Sequence, residues 1–275
     1  MTDEQFPQKR LPDAIIIGAK KCGTRAVLEF LRLNPFVKAP FPEIHFFDKR
    51  YDEGLDWYRD QMPETTMGQV TLEKSPSYFV EKRAPERVHT MNPTTKLILV
   101  VRDPVTRIIS DYTQTVVTRK LSPYNATTFD GAVLCKVNAK RFDPDGNCKM
   151  GVNTSIGLVR IGIYHKHLQH WLRWFPLQQF IFVDGEQVIN SPAKELNRIE
   201  TFLGLVPVIS AKDFVKDPQK GFPCMKKNNT VHCLGKTKGR RHVSLRPNIV
   251  NRLRHFYKIE NIKFFTLINR VFNWT

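Results

Sequence analysis

Hydrophobic positions along this chain gather into short unbroken runs, each followed by a stretch in which apolar and polar residues alternate with helical spacing. Ala14 to Ala19, "AIIIGA", is apolar throughout, which predicts a parallel strand covered on both faces. In "RAVLEFLRL", Arg25 to Leu33, apolar residues recur at helical spacing until Asn34-Pro35, where a helix must stop. The same succession returns in "TKLILVV", Thr95 to Val101, followed by "RDPVTRIISDYTQT", with Asp103-Pro104 as the helix start. "QFIFVDGEQVI", Gln179 to Ile189, predicts a third strand running into a turn, and "PAKELNRIETFLGL" a helix closed at Gly204. The C-terminal third shows less regularity, and no internal repeat is visible. Repeated strand-helix order predicts an α/β fold, a central parallel sheet flanked by helices with right-handed crossovers.

The 275 residues, 41% of them apolar, can bury one sizeable core, and no linker-like stretch divides them. One domain is therefore expected, with 1–11 as a flexible start and 12–275 folded. Charge then narrows the choice of partner. Lys and Arg number 43 against 26 Asp and Glu, a net +17, which favours a polyanion: nucleic acid, an anionic membrane or an acidic glycan. A basic surface with no ligand fits the charge as well. No helix-turn-helix, RNA-recognition or zinc-finger pattern is apparent, so nucleic acid is not expected. The apolar runs are too short to cross a bilayer and the opening "MTDEQFPQKR" is not a signal peptide, leaving a cytosolic protein or a trimmed luminal domain. Four sequons, at Asn125, Asn153, Asn228 and Asn273, favour the lumen. So do the five cysteines: Cys224 and Cys233 close a short loop and Cys135 and Cys148 bracket a longer irregular one, which predicts two disulfides and leaves Cys22 as a free thiol. Metal-ligand spacing is missing, so no metal is expected.

Candidate chemistry sits at the two best strand-helix junctions. In "GAKKCGT", Gly18 and Gly23 stand at phosphate-loop spacing, and backbone N–H groups of such a turn converge on an anion at the following helix N-terminus. The lysine of a triphosphate loop would follow Gly23; here Thr24-Arg25 follow it, and the cations are Lys20 and Lys21. At the second junction Arg102 leaves the strand and Ser110 lies two helical turns on, a pair that can share one anion. Either junction alone also fits an ordinary structural turn; together they imply a ligand with phosphates at both ends.

"KKCGTRA" resembles the 5′-phosphosulfate loop, and "RDPVTRIISDY" the 3′-phosphate element, of sulfotransferases that use 3′-phosphoadenosine 5′-phosphosulfate (PAPS). "PEIHFFD", "GLDWY", "LEKSPSYF", "SDYTQ", "KGFPC" and "CLGKTKGR" are similar, in this order and over nearly the whole length, to heparan sulfate glucosamine 3-O-sulfotransferases. The resemblance implies transfer of a sulfuryl group from PAPS to a glucosamine 3-hydroxyl, with PAP as product and no metal. It implies Glu43 as general base and Lys21 as the cation on the departing phosphate oxygen, with His45, Asp48 and Lys74 completing the catalytic centre. Donor contacts fall on Lys21, Cys22, Gly23, Thr24, Arg25, Arg102 and Ser110, on Phe222 and Pro223 beside the adenine, and on the loop Thr237, Lys238, Gly239, Arg240 and Arg241. Acceptor contacts fall on Lys20, Arg25, Glu43, His45, Asp48, Lys49, Lys74 and Gln114. The partner implied is heparan sulfate or heparin, and the protein a monomer of the Golgi lumen, either a type II membrane protein in a full-length form whose N-terminal anchor is absent here, or secreted.

Cys22 departs from the family, which usually has Gly there, and Phe41 and Gly235 stand at positions resembling the cleft-edge residues that separate subtypes. "IGIY", "KGFPC" and "CLGK" lean towards members acting on highly sulfated sites. Two other readings are a non-catalytic heparin or polyanion binder and a P-loop kinase. A pure binder gains nothing from a carboxylate such as Glu43 in a basic groove, and the kinase lacks the lysine after Gly23.

Overall fold

The computed structural model describes residues 6–118, 128–135, 146–219, 221–227, 230–235 and 245–274. It divides into two compact units, Met1–Val101 with His170–Arg240, and Arg102–Gln169 with Arg241–Thr275.

The first unit is built on a five-stranded parallel sheet of β1 (Ala14–Gly18), β2 (Val37–Lys38), β3 (Val70–Lys74), β4 (Lys96–Val101) and β5 (Phe180–Asp184), in the order β2-β3-β1-β4-β5. The unbroken apolar runs become β1, β4 and β5, with every residue of β1 buried, because strands covered by helices on both faces have no solvent side to make polar. Helix α1 (Thr24–Leu31) returns from β1, and α4, the helix Pro192–Leu203, ends as expected at Gly204, whose φ of 84° closes the last turn. Asn34, just past α1, donates to Glu200 of α4 at 2.8 Å, so the two helices share a buried polar tie. A three-stranded antiparallel sheet of Phe214–Lys216, Pro223–Lys227 and Thr230–His232 completes the unit.

One expectation needs correction in this unit. The turn predicted after β5 is a short helix, Gly185–Asn190, because the Asp184 carboxylate caps it by accepting from the Glu186 N–H at 2.9 Å. Within the start read as flexible, Gln8–Lys9 pair antiparallel with Glu64–Thr65, and Lys9 Nζ donates to the Asp60 carbonyl.

The second unit packs helices. α3 (Pro104–Tyr112) opens as the sequence predicts, Pro104 at its first position and the Asp103 carboxylate accepting from Val105 and Thr106 N–H. Its buried face, Val105, Ile108 and Tyr112, meets Phe129, Leu158, Ile163, Leu253 and Phe256. The less regular C-terminal third holds the longest helix among the described residues, α5 (Pro247–Ile268, 22 residues). Its buried positions, Ile249, Leu253, Phe256, Tyr257, Glu260, Phe264 and Ile268, do follow helical spacing, but one of them is a carboxylate and the exposed face carries Ile259 and Ile262, which blurs the apolar stripe. Glu260 is held there by His165 at 2.5 Å and Lys263 at 3.2 Å, and Arg107 is buried against Asp111 at 3.1 Å.

Gly185 packs against the first β-α loop so closely that a Cβ would lie 2.3 Å from the Cys22 carbonyl oxygen. Backbone cannot yield as a side-chain tip does. Gly185→Ala is therefore expected to destabilise the protein by about 1–3 kcal/mol, the usual range for overpacking, read as a lowered denaturation midpoint at unchanged m-value. An unchanged midpoint would show that the loop is not held there.

Candidate active site

Strand register decides what meets at the carboxyl edge of the sheet. Ile16 of β1 stands opposite Lys74 of β3 and Gly18 opposite Leu99 of β4, so the loop after Gly18 and the chain leaving Lys74 emerge side by side. Open parallel sheets bind ligands at this edge. A cavity of about 350 Å³ lined by Asp13, Val70, Lys96 and Gly204 lies at the opposite edge, away from these residues.

The β1–α1 loop is shaped by two left-handed residues, Lys21 at φ 74° and Gly23 at φ 102°. Gly23 is the N-cap of α1, and no heavy atom lies within 4 Å of where its Cβ would stand. The backbone is thus open above the first N–H groups of the helix, where an anion is favoured by both hydrogen bonding and the helix dipole. Lys20 is exposed, Lys21 half-buried and Thr24 buried. Cys22 turns inward at 1% exposure, its thiol 3.9 Å from the Lys20 carbonyl, and burial of this kind makes a thiol inert. Arg25 is committed within its own surroundings, with Nε 3.7 Å from Glu29 and its guanidinium 5.0 Å from the centre of the exposed Phe41 ring.

Glu43, His45, Asp48 and Lys74 form one cluster. Lys74, its side chain only 5% exposed at the end of β3, donates to Glu43 Oε1. The other carboxylate oxygen, Oε2, lies 3.3 Å from His45 Nε2, and His45 Nδ1 lies 3.0 Å from Asp48 Oδ2. Glu43 therefore sits between a buried cation and an oriented imidazole while 39% of its side chain stays open to solvent. Each carboxylate oxygen retains a free lone-pair direction, so the group can still accept a proton from outside. Lys49, on the same short helix α2 (Phe46–Lys49), is exposed.

Several participants were not foreseen from the sequence. Ser77 Oγ donates to Asp48 Oδ2 at 2.6 Å and lies 3.1 Å from His45 Nδ1, the ring nitrogen that also faces Asp48. His45 itself is left-handed at φ 56°, a conformation that costs a non-glycine residue energy unless its surroundings hold it. Those surroundings are Ser75 Oγ, which accepts from His45 N at 3.0 Å, and Tyr78 OH, which accepts from Phe46 N at 2.7 Å. Ser75 in turn donates to the fully buried Glu73 at 2.6 Å, and Tyr58 OH reaches the same carboxylate at 3.4 Å. A buried Ser in a strand-loop segment carries no spacing signal that would have revealed this.

The remaining expected residues belong to other elements. Arg102, Ser110 and Gln114 belong to the second unit, Arg102 directly after β4, Ser110 on α3 and Gln114 in the wider π turn Thr113–Thr118. Phe222 and Pro223 enter the antiparallel sheet, where Cys224 is bonded to Cys233; Cys135 is bonded to Cys148, and Cys22 forms no disulfide, as expected. Asn153 Oδ1 accepts from Ser155 Oγ at 2.6 Å, and Asn273 is exposed. Thr237, Lys238, Gly239, Arg240, Arg241, Asn125 and Asn228 lie outside the described residues.

Residues 11–265 match the sulfotransferase domain family. Over 269 residues, 97% of this chain, the sequence is 51% identical to human heparan sulfate glucosamine 3-O-sulfotransferase 3B1, and the chain spans 65% of that protein's length. It is 47% identical to human heparan sulfate glucosamine 3-O-sulfotransferase 6 over 271 residues, 97% of this chain and 75% of the relative. The crystal structure of a sulfotransferase from Alicyclobacillus acidocaldarius superposes with a TM-score of 0.69 at 18% identity, covering 96% of this chain and 98% of that one, which shows the shared fold.

Glu73 gives the cluster a measurable pH signature. Burial lifts its carboxyl from 4.5 to about 7, against the opposing pull of the Ser75 hydroxyl, the Lys74 charge and the Ile44 N–H. Between those two values the folded chain holds a proton that the unfolded chain has released, so stability falls as pH rises through this window and levels off above it, by about 3 kcal/mol in all. Urea denaturation at pH 5 and pH 8 is expected to show this loss in the parent and its removal in Glu73→Gln. Equal pH dependence in the two proteins would exclude Glu73 as its source.

Proposed function

The chain belongs to the heparan sulfate glucosamine 3-O-sulfotransferases, within the sulfotransferase family, and from that premise we propose that it transfers a sulfuryl group from PAPS to the 3-hydroxyl of glucosamine in heparan sulfate. The observation that carries this reading is the half-open Glu43 carboxylate, anchored by Lys74 on one oxygen and faced by His45 on the other. A polyanion binder has no use for it. The β1–α1 loop supports the donor assignment: left-handed Lys21 and Gly23 leave backbone open above the start of α1, a shape and charge suited to a phosphosulfate.

PAPS, when bound, supplies an activated sulfur whose bond to the 5′-phosphate oxygen breaks as the sugar oxygen bonds to it. The chain supplies the rest. Glu43 removes the proton from the attacking hydroxyl, Lys74 and His45 fix its carboxylate, and Asp48 with Ser77 hold the imidazole in register. Lys21 and the amides after Gly23 stabilise charge growing on the departing phosphate oxygen. The resemblance assigns the 3′-phosphate to Arg102 and Ser110, the adenine to Phe222 and Pro223, and further donor contacts to Thr237–Arg241. Lys20, Arg25, Lys49 and Gln114 grip sulfates and carboxylates of the acceptor. The two disulfides and the exposed sequon Asn273 support a luminal setting, the Golgi, where the heparan sulfate acceptor is modified.

Incubation with labelled PAPS and a panel of heparan sulfate oligosaccharides is expected to label the glucosamine 3-hydroxyl, and label at the 6-hydroxyl or nitrogen would overturn the assignment. Glu43→Gln is expected to lower turnover by about 10²–10⁴-fold with donor affinity unchanged. Lys21→Ala should weaken both turnover and donor binding, because its charge meets the donor in the ground state as well as the transition state. Near-normal turnover of Glu43→Gln at saturating donor and glycan would shift the base to His45.

A further inference from the structure

We propose that Glu73 is a positioning residue for the reaction, holding through Ser75 the turn that presents Glu43 and His45; this rests on the reading of Glu43 as the base. The turn has little of its own to hold it. Its residues Glu43 to Phe46 precede or open a helix of only four residues, and His45 occupies a left-handed conformation. Two consecutive backbone donors are instead captured by side chains of the segment leaving β3. His45 N–H donates to Ser75 Oγ at 3.0 Å and Phe46 N–H to Tyr78 OH at 2.7 Å.

The first of these leads back to Glu73. Ser75 Oγ gives its proton to Glu73 Oε1 at 2.6 Å, which leaves its lone pairs for His45 N–H. Glu73 Oε2 takes Tyr58 OH at 3.4 Å. Both Tyr58 and Tyr78 are kept protonated by burial, so each remains a donor. The two carboxylate oxygens thus receive Ser75 O–H and Tyr58 O–H at once, and both donors require an acceptor. An amide in its place has only one acceptor oxygen, so at least one donor loses its partner. The turn then gains freedom, and with it the distance from Glu43 to the hydroxyl it must deprotonate.

The role differs from that of Lys74. Lys74 touches the Glu43 carboxylate itself, whereas Glu73 acts on the backbone beneath it. Loss of Glu73 should therefore spare binding and lower the chemical step, since misplacement by a fraction of an ångström costs rate without removing any contact to donor or glycan. A merely structural carboxylate predicts the reverse: reduced stability with kcat intact in whatever protein folds.

The test uses the whole chain and two near-isosteric variants, Glu73→Gln and Ser75→Ala. In each, kcat is expected to fall about 10–100-fold while KM for glycan and the affinity for PAP stay within about twofold. Hydrogen exchange at His45 and Phe46 should quicken, and the denaturation midpoint of Glu73→Gln at pH 8 should equal or exceed that of the parent. Should Glu73→Gln fail to fold, Ser75→Ala and Tyr58→Phe decide the matter by the same readouts. An active parent with unaltered kcat and unaltered exchange in the folded variants overturns the proposal alone. A parent that transfers no sulfuryl group overturns the functional reading and this role together.

Discussion

The pairing of β1 with β3, which sets Ile16 opposite Lys74, is the constraint from which the site follows. Parallel strands in register must release their chains at the same edge, so the loop with Lys21 and Gly23 and the segment with Lys74 to Tyr78 leave the sheet as neighbours. A register slip of one residue would turn Lys74 to the other face of β3 and exchange it with Glu73. The cation that anchors Glu43 and the carboxylate that holds its backbone would then trade places. Alternation along a single strand thus separates two duties that carry opposite charge.

Burial gives these charges their force. Lys74 is almost wholly enclosed and meets Glu43, which is not; the ammonium cannot satisfy itself with water, and the carboxylate can. An enclosed cation left without its partner is costly. The pair is therefore held chiefly by what Lys74 would lose, and Glu43 keeps an open side for chemistry. The same asymmetry recurs at the imidazole, where Asp48 is buried, His45 is half-buried and Ser77 bridges them.

How much of this the sequence revealed depends on what each signal measures. β1, β4 and β5 were legible because complete burial demands unbroken apolar runs. β3 was not, since Glu73 and Lys74 occupy buried positions that an apolar pattern would have filled. α5 was hidden for a related reason, a buried Glu260 on one face and exposed isoleucines on the other. Within the candidate site, Glu43, His45, Asp48 and Lys74 were named through the resemblance, and the structure brings those four together. Glu73, Ser75, Ser77 and Tyr78 escaped notice because their partners are backbone groups or neighbouring side chains distant in sequence, and such contacts leave no fixed spacing to read.

The distribution of unfavourable energy points to the same place. Enclosing the Glu73 carboxyl opposes folding above its unfolded pKa, and His45 adds the cost of a left-handed backbone, about 1–3 kcal/mol where it occurs. Both lie beside Glu43, and neither fills space that a leucine or a glycine could not have filled more cheaply. An apolar residue at position 73 would leave the Ser75 and Tyr58 donors without an acceptor. A glycine at position 45 would relieve the strain but lose the imidazole that faces Glu43. The strained conformation and the enclosed charge are thus conditions of one arrangement: a carboxylate on a short turn, held from below by captured N–H groups and from the side by a cation and a ring, with its remaining face open to an incoming hydroxyl.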